Sequence, residues 1–186
     1  MKIKEVAIAV CTYLNKTEIT DYLTEKTETP SADILTQVDI LTRLTNLVIN
    51  ELACSYVPMK TRETVSVING KFLISSLTKR ALKILSVMEE TGEQKIFMCD
   101  GENILTYGDN VEVEYSYLPE NYGLDDTIGY GDNDIPLSVL AFGVCAEYCL
   151  TEWRFEEAVM WRERYSDALK SFTLPTSKTI KGRAWL

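Results

Sequence analysis

The residues most able to do chemistry lie in one loop. Glu120, Asp125, Asp126, Asp132 and Asp134 fall within fifteen positions, spaced by Gly123, Gly129 and Gly131. Clustered carboxylates can hold a hard cation such as calcium, or a metal that activates water for hydrolysis. The spacing does not fit a calcium loop of the helix-loop-helix type, because no glycine takes the sixth position of a loop that also ends in Glu. A solvated loop is the plainer expectation. Carboxylates lining a pore, where they repel phosphate, are the other one, with Asp125, Asp126, Asp132 and Asp134 facing the bore. Cys145 and Cys149 are four residues apart and share a helix face. Two thiolates leave a zinc ion two ligands short, and no Cys-x-x-Cys pair supplies them.

Histidine is absent from all 186 residues. Triads built on His and His-ligated zinc are therefore excluded. An enzyme would have to rely on carboxylates, Lys, Tyr or Cys, and the sequence assigns no catalytic residue, cofactor or metal. The other cysteines, Cys11, Cys54 and Cys99, complete an odd, scattered set that argues against a disulfide framework and predicts free buried thiols. Tyr115, Tyr117, Tyr148, Trp153, Trp161 and Tyr165 could form a ligand platform, but they fall on apolar stripes and are expected in packing.

The net charge is −9, from 19 basic and 28 acidic residues. An acidic body does not bind nucleic acid through its phosphates. The last segment differs: it carries Lys178, Lys181 and Arg183, no acidic side chain, and ends in Ala184-Trp185-Leu186. Three cations and two large apolar groups make it a candidate docking arm for an acidic partner. No run of apolar residues approaches the ~18 that a membrane helix needs.

The elements that must position these residues read as helices, then strands, then helices. Residues 2–14 form an amphipathic helix through Ile3, Val6, Ala7, Val10 and Leu14. Residues 15–30 read as loop, with a turn of helix near 18–24. Ser31 caps a long helix with Asp33 in its first turn. Its stripe of Ile34, Val38, Leu41, Leu44 or Thr45, Val48 and Leu52 reaches about Tyr56, some 25 residues and roughly 38 Å. Leu35, Leu47 and Ile49 lie off that stripe, which predicts a second covered face, covered either by another helix of this chain or by a neighbouring subunit, and makes the three residues candidates for a subunit contact.

After Pro58 the period becomes two. Residues 63–68, Asn69-Gly70 and residues 71–77 predict a hairpin. Further strands are expected at 81–88, 94–100, 103–107 and 111–118, the last with Val111, Val113, Tyr115 and Tyr117 on one face. Pro136 opens a helix over 137–153 with Asp134 close by as a cap, apolar nearly all round and therefore buried. A final helix runs to Phe172 with Phe155, Ala158, Val159, Trp161, Tyr165, Ala168, Leu169 and Phe172 inward. Segregated elements of this kind predict an α+β fold: a bundle of N- and C-terminal helices with an inserted antiparallel sheet or sandwich. The expected division is 1–58 with 135–174 as bundle, 59–134 as β region and acidic loop, and 175–186 as a flexible C-terminal arm.

The second half carries a resemblance. A strand ending Tyr115-Ser116-Tyr117-Leu118-Pro119 leads into the Gly/Asp-rich loop, and the helix start Ile135-Pro136-Leu137 follows. Next come the small-and-aromatic run Ala141-Phe142-Gly143-Val144-Cys145-Ala146-Glu147-Tyr148 and a last helix opening Phe155-Glu156-Glu157-Ala158, with Trp161 and Tyr165. With the helical pair and β region before it, this order resembles the head–tail connector (adaptor, or head-completion) proteins of tailed bacteriophages over nearly the full chain. The resemblance implies a non-enzymatic, ring-forming homo-oligomer, a dodecamer beneath the portal protein. Such a ring extends the DNA channel without binding DNA specifically, receives a tail or stopper protein, and sits at the head–tail junction of the virion after assembly in the host cytoplasm. It also implies that the portal-docking arm is the C-terminal one, here Lys178, Lys181, Arg183, Trp185 and Leu186. Two other classes compete: a carbohydrate- or peptide-binding module using the inserted sheet, and a metal-dependent hydrolase using the Asp-rich loop.

Overall fold

The apolar stripes of the first 55 residues fold as three helices, α1 (Ile3–Tyr13), α2 (Thr17–Leu23) and α3 (Ala32–Ser55). The computed structural model describes residues 1–26, 29–89, 91–130 and 135–173. α1 buries Ile3, Val6, Ala7 and Val10, the stripe that its spacing predicts. α2 is a full helix where mostly loop is expected, because Ile19 and Leu23 sit four apart and are both buried. In α3 the Ser31 hydroxyl accepts from the Ile34 amide at 3.3 Å, so the N-cap is real, and Val38, Leu41, Val48 and Leu52 face the core.

Two further helices follow the strands: α4 (Leu137–Thr151) and α5 (Phe155–Thr173). α4 packs against α5, α1 and α3, which explains why its apolar residues have no preferred side. Gly143 lies at the tightest approach. A Cβ there would stand 2.8 Å from Val48 Cγ1 of α3 and 3.1 Å from Tyr165 Cε2 of α5. Pro136 does not begin the helix as its first helical residue. It is the N-cap, with ψ 137°, and its carbonyl accepts from the Val139 amide. The cap expected from Asp134 lies outside the described residues. In α5 the inner face is Ala158, Trp161, Tyr165 and Leu169. Phe155 and Val159, expected inward, are exposed. Val159 is rotated about 100° from Ala158 around the helix and so misses the narrow stripe that α4 covers.

The strands make two antiparallel sheets. One has the order β1 (Met59–Ser66), β7 (Asn110–Tyr117), β3 (Ala81–Met88), β4 (Gln94–Lys95); the other has β2 (Lys71–Leu73), β6 (Asn103–Leu105), β5 (Met98–Asp100). The predicted hairpin survives only as its turn. Asn69 and Gly70 both have positive φ, and Ile68 and Lys71 exchange two backbone hydrogen bonds of 2.9 and 3.2 Å. Beyond that bridge the strands part: β1 runs along β7, from Met59 opposite Tyr117 to Ser66 opposite Asn110, while β2 joins β6. The physical reason is the core. Val65 of β1 and Phe72 of β2 are both buried, and with their strands in different sheets both join the one hydrophobic cluster. The expected strand 94–100 divides in the same way, β4 pairing with β3 and β5 with β6.

β7 is the spine of the larger sheet. Val111, Val113, Tyr115 and Tyr117 alternate inward as predicted. The inner residues of both sheets belong to one hydrophobic cluster with the helix interiors. The fold is α+β, with the strands between two groups of helices. Among the described residues no helix is long and apolar enough to cross a membrane.

Candidate interaction surfaces

The acidic loop is a strap. Asn46 of α3 brackets the backbone of Tyr122: its Nδ2 donates to the Tyr122 carbonyl at 2.9 Å and its Oδ1 accepts from the Tyr122 amide at 2.8 Å. Further on, the Tyr130 hydroxyl donates to the Ile49 carbonyl at 3.0 Å. The strap also serves α1. The Ile3 and Lys4 amides, which have no partner inside the helix, donate to the carbonyls of Asp126 and Leu124. Asp126 turns its carboxylate back onto the Gly123 amide at 2.6 Å, which fixes a tight turn. Over 122–130 the loop is anchored by its apolar residues, with Ile128 buried and Tyr122, Leu124 and Tyr130 packed on the core, while its described carboxylates face solvent as expected. Asp125 and Asp126 are exposed. Asp132 and Asp134 lie outside the described residues, as does the whole arm with Lys178, Lys181, Arg183, Trp185 and Leu186. Among the described residues no group of three or more His, Cys, Asp or Glu side chains is gathered to hold a metal ion.

The three off-stripe residues of α3 separate. Leu35 and Leu47 are about half exposed, at 48% and 52%, and Ile49 is fully buried. Ile49 therefore contributes to this chain's own core and is withdrawn from any subunit contact. Ile49 lies one turn from buried Thr45 and Ala53, so the buried face of α3 is wide enough to include it, and the Tyr130 hydroxyl donates to its carbonyl. Between Leu35 and Leu47 on the outer face, Arg43 pairs with Asp39 at 2.7 Å.

The aromatic residues divide as well. Tyr115, Tyr117, Tyr148, Trp161 and Tyr165 are buried, but Trp153 is 79% exposed, in a left-handed conformation at the α4–α5 turn and edge-on to Phe155. Burial holds the Tyr165 hydroxyl well above its usual range, and neither that hydroxyl nor Trp161 Nε1 has a hydrogen-bond partner among the described residues. Cys11, Cys145 and Cys149 are buried, whereas Cys54 and Cys99 are exposed, which corrects the expectation that all five thiols are buried. Burial raises the Cys11 pKa to about 11 and pushes Cys145 and Cys149 up as well, so these groups are packing residues and not thiolate ligands.

Where the larger sheet meets the strap, Lys79, Arg80, Tyr117, Leu118, Pro119, Glu120 and Tyr122 line a cavity of about 310 Å³. Lys79 Nζ lies 4.0 Å from the centroid of Tyr117. Beneath it, the Glu63 carboxylate accepts from the Tyr115 hydroxyl at 3.0 Å and from the Thr78 amide at 2.9 Å. Burial alone would push Glu63 up, but these hydrogen bonds and the Lys79 charge together hold it below its ordinary value. The arrangement locks the base of the sheets.

Sequence reasoning missed the exposed apolar residues of the β region. Ile68 and Leu73 are exposed at β2, Ile96 and Met98 at β5, and Tyr107 after β6, Ile96 at 85%. The signal was present in the alternation of Ile96 and Met98, which a single long strand would have placed on one face. No family model and no curated protein sequence matches this chain.

Proposed function

We propose that this protein is a structural subunit of the head–tail connector of a tailed bacteriophage. Copies of it close into a dodecameric ring beneath the portal protein, extend the DNA channel, and receive a tail or stopper protein. Its place is the head–tail junction of the virion, with assembly in the host cytoplasm, and it contributes shape and negative charge instead of catalysis.

The observation that carries this reading is the surplus of large apolar groups outside a finished core. Leu35 and Leu47 on α3, Trp153, Phe155 and Val159 at the α4–α5 turn, and Ile68, Leu73, Ile96 and Met98 on the sheets are all exposed, while the interior is already closed. Apolar surface of that extent on a chain that buries its own core is typical of one that completes itself in an assembly. The chain order supports the same reading, since both ends of the polypeptide supply helices and the strands stand between them. The net charge of −9 suits a channel through which DNA slides without binding.

The test is to mix the purified protein with the portal protein of the same virus and image the product by electron microscopy. A ring of this subunit beneath the portal is the expected result, and deletion of 182–186 abolishes the contact while leaving the fold intact. Portal particles without an added ring would overturn the reading, and so would a turnover assay whose product is lost on a point substitution.

A further inference from the structure

The strand orders β1-β7-β3-β4 and β2-β6-β5 leave four edge strands, and they fall in two pairs. β1 and β2 are joined by the four residues 67–70, which turn at Asn69-Gly70, and β4 and β5 by Ile96-Phe97, so each pair lies on one side of the β module. The module therefore has two open edges on opposite sides, one spanning residues 59–73 and the other 94–100. Neither has a strand partner on its outer side among the described residues. An open edge offers unpaired backbone amides and carbonyls to another chain.

The two edges also differ in charge. The first carries exposed Lys60, Arg62 and Lys71; its one acid, Glu63, is turned inward onto Tyr115 and Thr78. Arg62 is held by Glu114 at 3.0 Å, but Lys60 and Lys71 pair with no carboxylate among the described residues. The second edge ends in exposed Asp100 and is flanked by exposed Glu93 and Glu102, and its one cation, Lys95, is paired with Glu89 at 3.0 Å. Both edges expose large apolar side chains, Ile68 and Leu73 on the first and Ile96 and Met98 on the second. Like edges repel and unlike edges attract, which selects a head-to-tail contact over a two-fold one.

We infer that a second copy of this chain occupies each edge: the acidic 94–100 edge of one subunit lies along the basic 59–73 edge of the next. This rests on the ring reading above and names the contact that propagates it. The geometry is heterologous, so it closes into a ring when the rotation permits. It moves the principal subunit contact from α3 to the β module.

Cys99 gives the experiment a native handle, because it is exposed on β5. In a Cys54→Ser background, one preparation keeps Cys99. A second has Cys99→Ser with either Lys71→Cys on β2 or Thr64→Cys on β1, so that the outcome does not depend on register. Each is treated with a short bis-maleimide at millimolar protein, alone and mixed. Covalent dimers only in the mixture are expected, as is a ladder of longer products when Cys99 and Lys71→Cys share one chain. Adding Lys60→Glu to the second preparation should weaken the link at least several-fold, and adding Asp100→Lys to the first should restore it. Linkage of Cys99 to Cys99, or no linkage in the mixture, overturns the inference. If light scattering shows oligomers that do not link, the edge assignment fails while the ring reading stands. If the protein stays monomeric and does not link, the edges do not pair, and the ring reading is then decided by the portal experiment alone.

Discussion

Asn46 and Tyr122, far apart in the sequence, are tied by two hydrogen bonds in which one side-chain amide satisfies both the amide and the carbonyl of a single backbone unit. The amide of α3 acts as a clasp on the strap, and through the strap it holds the first turn of α1, whose Ile3 and Lys4 amides find their acceptors there. Asn46 is itself buried within a helix, where an unpaired amide would be costly. Asn46→Ala leaves the Tyr122 amide and carbonyl without partners. The expected loss is about 1–3 kcal/mol for the unsatisfied groups, read as a lower denaturant midpoint. Limited proteolysis should open the strap near residues 120–130 before the rest of the chain. Asn46→Asp keeps the acceptor for the Tyr122 amide and sets a carboxylate against its carbonyl, so it is expected to be no better than Ala. Full stability in the Asp variant would show that the clasp is not what holds the strap.

Gly143→Ala places a methyl 2.8 Å from Val48 Cγ1, on a stiff β-branched side chain in the core. Helix propensity favours alanine by about 1 kcal/mol, while overpacking costs about 1–3 kcal/mol. The expected balance is a lower melting temperature. Val48→Ala in the same chain should recover part of the loss, giving a double-mutant coupling of at least about 0.5 kcal/mol. Additive losses would place the crowding elsewhere.

Glu63 sets a pH dependence. Its carboxyl is held below its ordinary value in the folded chain by hydrogen bonds from Thr78 and Tyr115 that outweigh burial. A depressed folded pKa adds stability that is fully present above the unfolded value of about 4.3 and is lost as pH falls through the folded value. Urea midpoints of the wild type should therefore fall more steeply than those of Glu63→Gln below about pH 4.3. Parallel curves for the two proteins would remove Glu63 from the account. Tyr115→Phe should flatten the wild-type curve in part, because it removes one of the donors.

Thiol accessibility separates the cysteines into two classes. Cys54 and Cys99 are exposed, and Cys11, Cys145 and Cys149 are buried with their thiols pushed toward the protonated form. The thiolate is the reactive species. At mildly alkaline pH an aromatic disulfide titrant should consume two of the five thiols quickly in the native protein and all five in denaturant. Fast reaction of a third thiol would mean that the α1–α4 contact opens in solution.

Four helices were legible in the sequence because α1, α3 and α5 each bury one stripe and α4 buries every side, whereas α2 offers only the pair Ile19 and Leu23 and reads as loop. Ser31 marked where α3 begins, and the Val111 to Tyr117 alternation marked β7. Partner choice among the strands was not legible. Asn69-Gly70 dictates a turn through local backbone geometry, but beyond it β1 pairs with β7 and β2 with β6, a choice set by long-range burial that no local pattern encodes. The strap hid for the same reason. Its Gly and Asp content reads as a loop, and nothing nearby announces Asn46 as its anchor. A mid-helix Asn on a buried position was the available signal, since such a group needs a specific partner.

α3 turns two faces to different surroundings. Ile49 is fully buried, with the Tyr130 hydroxyl donating to its carbonyl, while Leu47, two positions earlier, is half exposed. Ile49→Ala should cost about 2–5 kcal/mol, the range for deleting a well-packed core side chain. Leu35→Ser and Leu47→Ser should each change stability by about 0.5 kcal/mol or less. Denaturant titration with an unchanged slope separates the cases, because a shift of midpoint alone reports stability and not a change of fold. If the β edges carry the ring, the two serine variants leave the Cys99 cross-link intact. If α3 carries it, they abolish assembly while the monomer keeps its full stability. A large destabilisation from Leu47→Ser would mean that the outer face of α3 is covered within the single chain, and its surplus apolar surface would no longer argue for a neighbour.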